Sequence, residues 1–277
     1  MVASSHSRTQ TATAYTATEL GVRPKKKRVS QEVVVLSTEL SWDTPSLLSF
    51  SERTLSPELQ SSLAESIDSI RKRQFICNYH RDEFKAAYYD ALPEDTDILK
   101  VFIYMMSDGE NNKEKDVRLW LGCYANAIGY IQSAHAVLDI TSHVIYYAHG
   151  GEHGAAFKGM KTKNVSIHSI NKKLTSNNLY PDLAKSIGNL LSMDEFVYLN
   201  DLANLVKHRN LVPIQHTSDQ AVLSGLAHGM IFKSFEKDGR VYKENEILSF
   251  FENTHKPIFT VVVDIGRHLN ATLGLKP

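Results

Sequence analysis

Two sets of side chains in this sequence have the types and spacing of a polar site. Asn200, Asn204 and His208 recur every fourth residue in the segment Asn200-Asp-Leu-Ala-Asn-Leu-Val-Lys-His-Arg-Asn210, which ends in the cationic run Lys207, His208 and Arg209. His135, Asp139 and His143 repeat that spacing earlier in the chain, inside an otherwise apolar helical pattern. Residues four apart stack on one face of a helix, so each set forms a stripe. An imidazole that titrates near neutrality can move a proton, and a guanidinium beside it can stabilise charge developing on a phosphate. Two such stripes on two packed helices make one shared polar site.

Long helices must carry them. Ser56-Pro57 is a cap followed by a first-position proline, and Leu59, Leu63, Ile67, Ile70, Cys77, Phe84 and Tyr88 continue at helical spacing. A second helix runs through Val117, Leu121, Tyr124, Ile128, Ile131, His135, Leu138 and Ile145, which puts His135 on the buried stripe, and Gly150-Gly151 ends it. The stretch up to Lys163 reads as an exposed connection. A third helical region begins after Pro181 and restarts at Ser192, where Ser192-Met-Asp-Glu195 has the form of a capping box for the helix bearing Phe196, Leu199, Ala203 and Val206. Asp238-Gly239 marks an antiparallel hairpin at about residues 226–243. Ile247 to Glu252 and Ile258 to Leu273 read as helix, with Pro257 as an interruption, although the β-branched run in Phe259-Thr-Val-Val-Val263 also fits a strand.

The expected fold class is therefore mainly α with a small antiparallel hairpin near the C-terminus. Residues 1–30 form a Ser/Thr-rich tail ending in the basic Pro24-Lys-Lys-Lys-Arg-Val29, which reads either as a solvated linker or as a nuclear import signal. Residues 31–55 read as an irregular extension, with Val33 to Leu36 as a short strand or anchor and Trp42 to Phe50 as a loop, and residues 56–277 as the helical domain. Lysine plus arginine and aspartate plus glutamate each total 31, so the whole molecule has no electrostatic bias and any contact with an anion needs a local patch. Cys77 and Cys123 form no C-x-x-C and fit buried thiols in a reducing, cytoplasmic setting. No run of about 18 apolar residues is present, so no membrane association is expected.

The order of these features resembles that of bacterial HEPN-like proteins, the "higher eukaryotes and prokaryotes nucleotide-binding" helical superfamily, in a largely uncharacterised branch. The features are a long helix with an inward His and Asp, a helix ending in Lys-His-Arg-Asn-Leu-Val, and the segments His228-Gly-Met-Ile-Phe-Lys233 and Gly239-Arg-Val-Tyr242. The similarity spans about residues 56–273. It implies a helical bundle that often forms a homodimer and acts on RNA or in a defence or regulatory system. In many members it implies a metal-independent ribonuclease without cofactors, whose site is an Arg, an adjacent polar residue and a His a few positions later. Carried onto this chain, those residues are Arg209, Asn210 and His216, with His208 as the other candidate base. His135, Asp139, Asn200, Asn204 and Lys207 line the binding surface. Pro213 takes the chain out of the helix between Arg209 and His216.

A second reading stands beside the enzymatic one: the His, Asp, Asn and Arg side chains form a buried network that sets helix register in a non-catalytic interaction module. His149-Gly-Gly-Glu-His153 has the letters of a zinc-protease motif, but two consecutive glycines oppose the single helix face it requires, and no metal is expected. No phosphate loop or dinucleotide fingerprint occurs.

Overall fold

The computed structural model describes residues 42–91, 113–208, 213–218 and 228–276. The N-terminal tail, its basic run and the Val33 to Leu36 segment lie outside the described residues. Seven α-helices and five short strands are present among them: α1 (Thr44–Thr54), α2 (Pro57–Ala91), α3 (Lys113–Ala148), α4 (Ile167–Ser176), α5 (Pro181–Ser192), α6 (Asp194–His208), β1 (Ile214–Ser218), β2 (His228–Phe232), β3 (Phe235–Lys237), β4 (Arg240–Tyr242), β5 (Asn245–Glu246) and α7 (Ile247–Thr272). The protein is thus mainly helical, with its strands gathered near the C-terminus.

The frame is the pair α2 and α3. Leu63, Ile67, Ile70, Cys77 and Phe84 of α2 are buried at steps of three, four and seven, and Cys123, Ala127, Tyr130, Ile131, Ala134, Val137 and Leu138 of α3 are buried along one face, so each helix carries one stripe. Gly129 marks a close approach: a Cβ there would lie 2.4 Å from the His80 ring, whose Nδ1 is 2.9 Å from Asn126 Oδ1. Burial pushes the Cys77 and Cys123 thiols up to about 12 and about 11, so both are inert small hydrophobes at neutral pH. Gly150 and Gly151 end α3 as expected, with φ of 85° and 61°, values that glycine adopts without strain.

α7 closes the core. Phe250, Phe251, Thr254, Ile258, Phe259, Val262, Ile265 and Leu269 are all buried at helical spacing, so the β-branched run that also fits a strand is one face of a continuous helix. Pro257 lies inside that helix rather than dividing it. Its cost, about 3 kcal/mol in an exposed helix interior, is outweighed by the apolar burial on both sides. Glu246 starts α7 by accepting from the Leu248 and Ser249 backbone N–H groups, while its backbone pairs with Ile231 in the sheet.

Four local assignments differ from the sequence reading. Trp42 to Phe50, expected as a loop, largely belongs to α1, which Asp43 caps by accepting from Ser46 N at 3.1 Å and Pro45 helps to start. The connection after α3 is three 3₁₀ turns with Ala156 and Phe157 buried, because Phe157 fills the space beside Tyr146 and His149. α4 was not anticipated; Ser166 and Ser169 cap it reciprocally, and Ile167, Ile170 and Leu174 bury its inner face. Ser192 closes α5, its hydroxyl donating to Asn189 O at 2.9 Å, and Met193 separates α5 from α6.

A hairpin forms at the expected Asp238-Gly239 turn, with φ of 50° and 79°, but β3 and β4 span only Phe235 to Tyr242 rather than 226–243, because His228–Phe232 pairs with β1 and β5 instead. A second sheet, ordered β1-β2-β5 and antiparallel throughout, accompanies it.

Candidate functional site

The stripe on α6 faces the stripe on α3. His135 is 7% exposed, and its Nε2 lies 3.2 Å from Asn200 Oδ1. That same oxygen accepts from Asn204 Nδ2 at 3.3 Å, so it is an acceptor and Nε2 carries the imidazole hydrogen. The other ring nitrogen, Nδ1, is then a lone pair, and the Lys207 ammonium points at it from 3.2 Å. Asp139 Oδ2 lies 3.5 Å from the same Nδ1, with its side chain 49% exposed. Burial lowers the affinity of His135 for a second proton, Asp139 opposes that effect and Lys207 reinforces it, so the ring is neutral at physiological pH. A neutral ring is also the form that lets Lys207 donate.

Two turns beyond His135 along α3, burial also pushes His143 down, against the opposing pull of Asp139, and its ring lies 5.8 Å from Tyr147.

Not all of the sequence-predicted residues fall within this arrangement. The structure brings together His135, Asp139, Asn200, Asn204 and Lys207. Arg209 and Asn210 lie outside the described residues. His208 closes α6 and His216 lies on β1 opposite Met230, with the side chains of both outside the description. His216 is therefore on a strand, in keeping with Pro213 ending the helical path.

A second polar contact on α6 was not read from the sequence. Asp201 is 2% exposed and accepts from Tyr242 Oη at 2.6 Å and from Arg240 Nη2 at 3.0 Å, tying α6 to β4. Asn200 Nδ2, 3.4 Å from Asp201 Oδ1, links this tie to the His135 network. Burial and the Asp201 carboxylate push the Tyr242 phenol up to about 12. Phe235 stacks on Tyr242 at 4.6 Å, so the hairpin is locked by rings as well as by charge. Beside it a groove of about 850 Å³ opens between α6, the hairpin and α7, lined by acids (Asp194, Glu195, Glu252) and bases (Arg240, Lys256) together.

Asp201→Ala is expected to cost about 2 kcal/mol, because the partly buried Tyr242 phenol and the Arg240 guanidinium lose a buried acceptor while the hairpin loses its anchor. Asp201→Asn, which keeps an acceptor oxygen, is expected to cost about half as much. Urea unfolding of both variants measures this. A loss below about 0.5 kcal/mol in Asp201→Ala, within the range of ordinary surface changes, would show that the tie carries no weight.

No family model, curated protein or solved structure matches this chain. The site's imidazole is enclosed by an amide, an ammonium and a carboxylate, and the ammonium end faces solvent.

The His149-to-His153 motif is put to other uses. The left-handed Gly150 and Gly151 separate the two histidines, His149 stacks on Tyr180 at 4.6 Å with Nε2 3.2 Å from Thr272 Oγ1, and Glu152 engages Lys161 at 2.9 Å. Among the described residues no group of three or more His, Cys, Asp or Glu side chains is placed to hold a metal ion. None of their helices is long and apolar enough to cross a membrane.

Proposed function

We propose that this protein is a HEPN-like helical module that binds RNA, works in the cytoplasm as a homodimer, and uses the α3–α6 network to fix the helix end carrying Lys207, His208 and Arg209. The observation that carries this reading is the closed pairing of His135. Both ring nitrogens are engaged and the ring is buried, as suits a register-setting contact, while Lys207 beside it is exposed. The short cationic run that begins at the exposed Lys207 supplies the local patch that a chain of zero net charge needs in order to hold a phosphate backbone. On this reading the protein is an interaction module in a bacterial defence or regulatory system.

A metal-independent ribonuclease is the second reading, and one feature favours it. The His135 Nδ1 lone pair is held by the exposed Lys207, so an ammonium drawn to a phosphate would free that nitrogen to act as a base, and Arg209 follows two residues after Lys207.

Fluorescence anisotropy with single-stranded RNA, paired with a cleavage assay in chelator, tests both readings. Lys207→Ala and Arg209→Ala are each expected to weaken RNA binding roughly tenfold and to flatten its salt dependence by about one phosphate contact. RNA is expected to survive intact with the wild type. Cleavage by the wild type that is lost in Arg209→Ala would replace the binding module with the nuclease. Unchanged RNA affinity in both variants, with reduced thermal stability, would leave the cationic run as no more than a helix C-terminal cap.

A further inference from the structure

The outer face of α2 exposes three large apolar side chains in a row: Phe75 at 58%, Ile76 at 37% and Tyr79 at 54%. A cluster of this kind left exposed on a folded protein marks an interaction surface. The charges around the cluster are ordered. Arg71 and Lys72 lie six and five residues before Cys77, and Asp82 and Glu83 lie five and six residues after it. Lys72 is exposed and Asp82 is half exposed, with side-chain exposures of 72% and 44%. Within the chain Lys72 pairs with Asp68 in an exposed pair that contributes little, and Asp82 pairs with its neighbour Arg81, whose side chain is 22% exposed.

We infer that this face of α2 packs against the same face of a second copy, antiparallel, about a two-fold axis at the level of Cys77. An isologous interface must be complementary to itself, and this face is. At about 100° per residue, Arg71 and Asp82 lie on one side of the Phe75–Tyr79 ridge and Lys72 and Glu83 on the other. Reversing a second copy about Cys77 brings its Arg71 opposite Asp82 and its Lys72 opposite Glu83, each twice by symmetry. Phe75 of one copy then lies beside Tyr79 of the other. A parallel arrangement would instead set like charges against each other at both ends. The area available from one helix face per copy is roughly 1,000 Å², at the lower edge of specific interfaces, so the dimer is weak and its charges decide its specificity.

This inference rests on the homodimer in the functional reading and names its surface. Sedimentation of the full chain over a concentration series tests it, with circular dichroism as the control for folding. The wild type is expected to dimerise with a Kd of about 10 µM, more weakly at high salt. Phe75→Glu is expected to raise that Kd at least roughly tenfold. The double variants R71E/K72E and D82K/E83K are each expected to be monomeric alone, because the face becomes uniformly acidic or uniformly basic, and to form a heterodimer when mixed. A monomer at every concentration would overturn both the homodimer and this surface. A dimer that persists in Phe75→Glu and in both double variants would overturn the surface and leave the homodimer.

Discussion

Between pH 6.5 and about 4 the protein is expected to lose roughly 6 kcal/mol of stability, with little change between pH 7 and 8. Burial depresses two histidines, His149 and His255, from 6.5 to about 4. Each is neutral when folded and binds its second proton more readily when unfolded. In the window from 6.5 down to about 4 the unfolded state therefore holds the extra protons, and stability falls as pH falls. Each group contributes about 3 kcal/mol at the acid end, from 1.36 kcal/mol per pH unit. His135 and His143 are shifted in the same direction and steepen the decline. The depressed carboxylates Asp43, Glu58 and Glu152 lose their contribution only at lower pH, so the two effects separate along the axis. The cleanest check is His255→Phe. The His255 ring lies 4.6 Å from Phe259 and 6.1 Å from Tyr130, and its Nδ1 has no hydrogen-bonding partner among the described residues, so a phenyl ring fills the site without orphaning any group. Urea midpoints at pH 7.5 and pH 5 are expected to differ far less in that variant. An undiminished pH slope would remove His255 from the account.

Phe251→Ala is expected to cost about 4 kcal/mol and to lower the melting temperature by roughly 10 °C. Phe251 is fully buried and holds three helices at one point, with its ring 5.2 Å from Phe84 of α2, 4.4 Å from Tyr130 of α3 and 5.9 Å from its neighbour Phe250. Truncation leaves a cavity where the α2–α3 pair meets α7, and rings fixed from three sides cannot collapse into it. Phe251→Leu, which keeps most of the volume, is expected to cost about 1 kcal/mol. Calorimetry on both variants measures the difference. Equal melting temperatures for wild type and Phe251→Ala would mean that the aromatic cluster is not the junction described.

Much of this architecture was legible from residue spacing, and the exceptions have physical causes. Ser56-Pro57, the α3 stripe from Ile131 through His135, Leu138 and Ile145, the Gly150-Gly151 stop and the Asp238-Gly239 turn are local signals, read over a few residues, and the chain follows them; earlier in α3 the reading fails, since Leu121 is exposed and Cys123 and Ala127 are buried instead. The convergence of His135 with Asn200, Asn204 and Lys207 was also readable, because a polar stripe on an apolar helix must meet a partner. α1 was hidden by serines and threonines that favour helices little, although Asp43 and Pro45 mark its start. α4 offers only three apolar anchors. α7 is one helix because Ile258, Phe259 and Val262 bury together, a tertiary effect that overrides the β-branched composition and Pro257. Asp201 directly follows Asn200, about 100° round the helix from that stripe, and its partners are 39 and 41 residues away in the hairpin, so no local pattern announces the pairing.

The Trp42 indole docks where α7 has no side chain: a Cβ on Gly266 would lie 2.2 Å from the ring. Asn270 completes the join, accepting from the indole N–H at 3.2 Å and donating to the Asp43 carbonyl at 2.9 Å. These contacts bridge 228 and 227 positions of the chain. During synthesis α1 emerges well before α7, so the join to Gly266 and Asn270 forms only after all the helices between them have followed. The entropy of closing so long a loop makes its docking a late event in refolding as well.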